Sequence, residues 1–174
     1  MPSAPRFIDA TRPPGRIRRV YAALAATRAA RVISRHVNWK LDVALLRLTG
    51  GRVATTLVFP TALLETRGAR TGAVRRSAVI YFRDGNRIVI AASNAGSALH
   101  PGWFHNLLAH PDVVFAGSPM RASIADHVER DRLWDLADRV FPAFVRYRRD
   151  AAAVGREVPL VTLTPSTRSA VGRD

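Results

Sequence analysis

The sequence predicts an α+β fold that is mainly β: a small barrel of antiparallel strands with peripheral helices. Three observations carry this. After Gly51 the chain breaks into about seven short apolar or β-branched runs. Turn residues separate many of them by about two to four positions, which forces neighbouring strands to run antiparallel. Helical patterns intervene only at intervals, so the chain lacks βαβ alternation, and closing such a sheet removes its exposed edges.

The elements follow in order. Residues 1–15 carry four prolines and a glycine and are expected to form a flexible arm. Over 16–35, Ile17, Val20, Tyr21, Leu24, Val32 and Ile33 recur at helical spacing, while Arg16, Arg19, Arg28, Arg31 and Arg35 occupy the remainder. That pattern is a cationic amphipathic helix, packed on the domain with a solvated basic face or lying on anionic lipid. A second short helix covers 37–48 and stops at Gly50-Gly51, completing a helical segment over 16–50. Strands are predicted over 52–59, 61–67, 73–83 and 87–93, punctuated by Pro60, Gly68, Gly72 and the turn Asp84-Gly85-Asn86. His100–His110 reads as a short helix with Pro101 in its first turn and Trp103, Leu107 and Leu108 on one face. Two strands at 112–117 and 120–128, one helix over 129–149 and a last strand at 158–165 complete a barrel domain spanning 51–165. The tail 166–174 is expected to fray.

Charge narrows the choice of partner. Against 13 acidic residues stand 27 basic ones, a net charge of +14, and Lys40 is the only lysine. Arginine forks grip phosphate or carboxylate bidentately, so the expected partner is anionic: a small molecule, nucleic acid or an acidic membrane surface. The absence of cysteine excludes disulfides, thiolate metal sites and cysteine nucleophiles. No signal-peptide core or run of about 18 apolar residues is present, so a cytoplasmic location, with at most peripheral membrane association, is expected. Walker, dinucleotide, nucleophile-elbow and zincin signatures are missing. His100, His105 and His110 lie about 140° apart around a helix and cannot converge on one metal.

One stretch concentrates the cations. In LLETRGARTGAVRRSAV (63–79), Arg67, Arg70, Arg75 and Arg76 crowd a Gly-Ala-Arg-Thr-Gly turn with no acidic residue after Glu65. Glycines at positive φ would free backbone N–H groups, Thr71 adds a hydroxyl, and Arg70 and Arg75 flank them. The result is either a cradle for phosphate or carboxylate or a plain solvent-facing basic hairpin. The next hairpin leads into a Ser-Asn-Ala-Gly loop and a Pro-x-Trp-x-x-Asn helix start. At the same barrel mouth, small residues would let a flat ring approach backbone amides. Trp103 would wall that ring or pack in the core, and Asn106 would anchor a polar edge or fix the loop.

Together, residues 63–96, the segment HPGWFHNLLAHPDV and the segment GREVPLVTLTP resemble the deazaflavin-dependent nitroreductases, also described as F-420H2-dependent quinone reductases. These belong to the split β-barrel flavin-binding superfamily, and the resemblance spans approximately residues 50–165. It implies a split β-barrel oxidoreductase passing hydride from reduced deazaflavin coenzyme F-420 to a hydrophobic acceptor such as a quinone or nitroaromatic. The phosphate and oligoglutamate tail of F-420 would fall to Arg70, Thr71, Gly72 and Arg75, with Arg76 and Ser77 beside them. Its ring would lie against Ala92, Ser93, Asn94, Ala95, Trp103 and Asn106. The substrate wall falls on Phe141, Phe144 and Tyr147, and Tyr147 or Ser93 is the candidate catalytic proton donor. Ala69 and Asn94 replace basic residues of the family pattern, and Ala78 replaces a proline. The alternatives are a split barrel binding flavin mononucleotide, whose shorter anion leaves arginines idle, or a nucleic-acid or lipid binding module. Nucleic acid is not expected, because the basic segments carry few interleaved aromatics for stacking.

Overall fold

A computed structural model of the chain describes residues 39–49 and 59–166, with isolated positions 15, 16, 20, 23 and 27. The expected arm, most of the cationic helix over 16–35, most of the strand at 52–59 and the tail beyond Ser166 lie outside the described residues. Helix α1 (Trp39–Leu48) precedes strands β1 (Thr61–Arg67), β2 (Val74–Asp84) and β3 (Arg87–Ala91). Helix α2 (Gly102–Ala109), strands β4 (Asp112–Phe115) and β5 (Ser118–Ile124), helices α3 (His127–Val140) and α4 (Ala143–Ala152) and strand β6 (Leu160–Pro165) follow. The strands close into a barrel in the order β1-β2-β3-β6-β5-β4, and every neighbouring pair is antiparallel. Among the described residues no helix is long and apolar enough to cross a membrane.

Strand pleating splits the core in two. Successive side chains alternate between the faces of a strand, so Leu64, Val79, Tyr81, Ile88, Ile90, Val113, Phe115, Met120, Val161 and Leu163 fill the barrel interior. Helix α2 inserts Trp103, Phe104 and Leu107 into the same cluster and stops one end of the barrel. The opposite faces of β2, β3 and β6 send Phe82, Val89 and Leu160 outward, where α3 and α4 cover them with Leu133, Trp134, Val140, Phe144 and Tyr147.

The single helix expected over 129–149 is two. Pro142 disfavours the α conformation at the residue before it, and Phe141 accordingly takes φ −137 and ψ 89 between α3 and α4. Helix α3 also starts earlier than expected, at His127, because the Asp126 side chain caps it by accepting the Glu129 N–H at 2.9 Å. The strand expected to reach residue 128 consequently ends at Ile124.

An ion-pair network fastens α3 to the barrel. Arg132 grips Asp84 in a bidentate fork, Nη1 to Oδ1 at 2.6 Å and Nη2 to Oδ2 at 2.9 Å. Arg87 donates to both Asp84 and Glu129. Hydrogen bonding from Arg132 first, with Arg87 adding to it, holds the Asp84 carboxyl down at about 2, against an ordinary 3.8. A carboxyl lowered in the folded state contributes stability that is complete above its unfolded value and disappears as pH falls through its folded one. Asp84→Asn is therefore expected to flatten the rise in unfolding free energy between about pH 2 and pH 4. Denaturant titrations at the two pH values check this, and an unaltered rise would refute it.

Candidate functional site

Local hydrogen bonds and one helix shape the basic turn. The Gly68 N–H donates to the Ala73 carbonyl and the Gly72 N–H to the Gly68 carbonyl, both at 2.8 Å. Of the two glycines expected at positive φ, Gly72 alone adopts it, at +69. Gly68 is required for space instead: a Cβ there would lie 3.1 Å from both the Ala73 oxygen and the Thr71 hydroxyl. That hydroxyl accepts from the Ala73 N–H at 3.3 Å, leaving its own proton to donate.

Asn106 on α2 fixes the turn. Its Oδ1 accepts the Ala69 N–H at 3.1 Å, and its Nδ2 donates to the Thr66 hydroxyl at 3.0 Å. Because a backbone N–H can only donate, the amide orientation is determined. These bonds run to the basic turn and not to the small-residue loop.

Register divides the arginines. Leu64 faces Ser77, Thr66 faces Arg75, and Glu65 faces Arg76 across β1 and β2. Leu64 and Thr66 point into the barrel, so Arg75 and Ser77 share that inner face at the mouth, whereas Arg76 lies on the outer face with Glu65. The Arg76 Nε donates to Glu65 Oε2 at 2.9 Å. Arg67, Arg70 and Arg75 are exposed, and none pairs with a carboxylate among the described residues. The Arg67 guanidinium reaches back over Gly72, its Nε 3.5 Å from where a Cβ would stand.

The small-residue loop leaves β3 at the same end of the barrel, because β3 runs antiparallel to β2 and back towards its start. Asn94, Ala95 and Gly96 take φ of 45, 50 and 74 in succession. Two of them carry a Cβ, and such positions cost about 1 to 3 kcal/mol each unless their surroundings enforce them. Arg156 does so. Its guanidinium is buried, at 7% exposure, and donates to three loop carbonyls: Nε to Ser97 at 2.7 Å, Nη1 to Ala92 at 3.1 Å and Nη2 to Ser93 at 2.7 Å. Nη1 also meets His100 Nδ1 at 3.2 Å. Arginine only donates, so Nδ1 accepts and the His100 proton sits on Nε2. Burial, then Arg156 and His105, push the His100 imidazole below its ordinary range and keep it neutral. Sequence reasoning did not single out Arg156; one arginine ahead of a strand does not stand out in so arginine-rich a chain.

The loop sits directly on α4. A Cβ at Gly96 would lie 3.0 Å from Asp150 Cβ, 3.1 Å from the Tyr147 carbonyl oxygen and 3.2 Å from Tyr147 Cα. Phe141, Phe144 and Tyr147 are buried together, with ring centroids 5.0 Å apart for Phe141 and Phe144 and 5.9 Å for Phe141 and Tyr147. Phe141 belongs to the break before α4 and not to the helix itself. Trp103 and Ala92 belong to the barrel-interior cluster, and Ser93 is buried at the head of the loop.

The chain is similar to known proteins. A sequence model of the F-420H(2)-dependent quinone reductase family matches residues 38–165. The F-420H(2)-dependent quinone reductase Rv1261c of Mycobacterium tuberculosis is 33% identical over 145 residues, 77% of this chain and 96% of its own length. A second protein of that organism, the putative F-420H(2)-dependent quinone reductase Rv3178, is 34% identical over 110 residues, 61% of this chain and 90% of its own. A solved F-420-H2 dependent reductase, FDR-A, superposes with a TM-score of 0.53 at 25% identity, covering 60% of this chain and 93% of that one.

Two substitutions probe the geometry. Asn106→Ala leaves the buried Thr66 hydroxyl and the Ala69 N–H without that partner and is expected to cost about 1 to 3 kcal/mol. Denaturant unfolding measures the loss, and faster hydrogen exchange at Ala69 locates it. Gly96→Ala adds a Cβ at positive φ against the Tyr147 backbone and is expected to destabilise by about 2 kcal/mol or more; an unchanged melting temperature would contradict the packing described.

Proposed function

The chain belongs to the F-420H(2)-dependent quinone reductase family, and from that premise we propose how its residues divide the work of the reaction. It is an oxidoreductase whose cofactor is the deazaflavin coenzyme F-420. The observation that carries the assignment of the site is the set of exposed arginines, Arg67, Arg70 and Arg75, without carboxylate partners among the described residues, around a turn whose shape Asn106 fixes.

That donor set fits a polyanionic tail. Arg70 and Arg75 supply charge-assisted hydrogen bonds, the Thr71 hydroxyl adds a neutral donor, and Gly72 lets the backbone approach. Ser77 adds a hydroxyl on the inner face with Arg75, while Arg76 contributes from outside the mouth with its Nε already on Glu65. Flavin mononucleotide, with a single phosphate, has too little charge to engage the whole set, and this alternative is not favoured. When bound, reduced F-420 supplies hydride from its own ring.

The chain orients, excludes water and handles a proton. Ala92, Ser93, Asn94 and Ala95 give a small-residue floor for the ring, and Trp103 braces that floor from the barrel interior. Phe141 and Phe144 offer an apolar wall to a hydrophobic acceptor, quinone or nitroaromatic, and Tyr147, whose backbone abuts the loop at Gly96, adds a hydroxyl to that wall. Tyr147 or Ser93 would hold the proton that accompanies reduction of the acceptor. The arginines within residues 16–35 would draw the chain to anionic lipid, where an apolar acceptor dissolves.

Fluorescence titration with oxidised F-420 tests the tail assignment. Arg70→Ala combined with Arg75→Ala is expected to weaken binding by about 2 to 4 kcal/mol and to reduce its salt dependence. Flavin mononucleotide affinity should change little in the same variant. Wild-type affinity for F-420 in the double variant would refute the assignment.

A further inference from the structure

The least ordinary group in the molecule is the buried guanidinium of Arg156. Buried cations normally face carboxylates, yet each bond this one makes runs to a backbone carbonyl or to the neutral ring of His100. Burial lowers its pKa, the direction expected when no anion compensates the charge. Such an arrangement persists only where the carbonyls have to be held.

Holding them has a consequence on the other face of the loop. In a trans peptide the carbonyl and the following N–H point in opposite directions. With the Ala92 and Ser93 oxygens drawn to Arg156, the Ser93 and Asn94 N–H groups face away from it. The dihedral angles add to this. Ser93 is right-handed, at φ −71 and ψ −35, and Asn94 is left-handed, at φ 45. A right-handed residue followed by a left-handed one turns successive N–H groups into one concavity that suits an oxygen acceptor. Among the described residues, no protein acceptor takes the N–H of Ser93, Asn94 or Ala95, although the neighbouring Ala92, Gly96 and Ser97 amides are all bonded.

We propose that Arg156 is a positioning residue for the reaction: by holding the Ala92, Ser93 and Ser97 carbonyls it presents the Ser93, Asn94 and Ala95 N–H groups as donors to the oxygen-bearing edge of the bound ring. The proposal rests on the cofactor reading given above. Arg156 touches neither ring nor acceptor and acts through the loop alone. The loop in turn stands against Tyr147 through Gly96, so one guanidinium sets the floor of the ring relative to the acceptor wall.

Amide hydrogen exchange of the full wild-type chain, with and without oxidised F-420, is the first measurement. The Ser93, Asn94 and Ala95 amides should exchange freely in the free chain and slow at least about tenfold on binding. Binding that leaves their exchange unchanged overturns the proposal, as does protection already present in the free chain. Failure of the wild type to bind F-420 would instead sink the cofactor reading, so the two failures are distinct. The second measurement compares variants. Arg156→Lys keeps the charge without the fork and should raise the F-420 Kd about tenfold, with kcat falling further than the quinone KM rises. In Arg156→Ala, added guanidinium should restore part of the lost affinity, a recovery that general loss of structure would not show. Wild-type affinity in the lysine variant, or no recovery in a folded alanine variant, overturns the proposal; if neither variant folds, the exchange pattern of the wild type still decides.

Discussion

In a closed ring of antiparallel strands every second side chain points inward, and the rest of this molecule answers to that constraint. Leu64, Val79, Ile90 and Val161 fill the interior because their parity in the strand demands it. The same parity carries past the end of the apolar run to Thr66, Ser77 and Arg75 at the mouth, where α2 closes the barrel with Trp103, Phe104 and Leu107. This end of the barrel is thus a continuation of its core with polar residues in the inward positions. Asn106 makes the junction, tying the helix that stops the barrel to the turn that follows β1.

Two sets of arginines contrast. Arg87 and Arg132 meet Asp84, Arg121 meets Asp112, Arg130 meets Glu157, and Arg148 meets Asp138. These pairs join elements to one another. For Asp138 the two influences oppose: burial raises its carboxyl to about 6 and outweighs the neighbouring Arg148, which also stacks over Trp134 at 4.3 Å. Arg67, Arg70 and Arg75 around the basic turn, and Arg156 beneath the small-residue loop, meet no carboxylate among the described residues. At the turn the cations are exposed and available to an anion; beneath the loop the cation is buried and bound to carbonyls. Charge of one sign is therefore placed in two unlike ways, exposed without a carboxylate at the surface turn and bound to backbone carbonyls inside.

Chain periodicity and punctuation made much of the fold readable. Strand alternation in residues 61–67 and the long apolar run after Arg76 marked β1 and β2, and the Asp-Gly-Asn turn marked the hairpin to β3. Pro142 was equally visible, yet the helical pattern on either side of it concealed the break. The basic hairpin and the small-residue loop were legible because their composition is unusual over a few residues. Their strand parity, which separates Arg75 from Arg76, follows only once the register with Glu65 and Thr66 is known.

By itself, the sequence determined most of the strands and turns between residues 61 and 165, that the chain is strongly cationic and which family pattern it carries, because each of these depends on residues close together in the chain. Tertiary structure alone decided that Asn106 reaches back 37 positions to Ala69 and that Arg156 reaches back 64 positions to Ala92. No local pattern encodes such contacts: an arginine that binds solvent and one that holds three carbonyls are the same residue until the barrel closes around one of them.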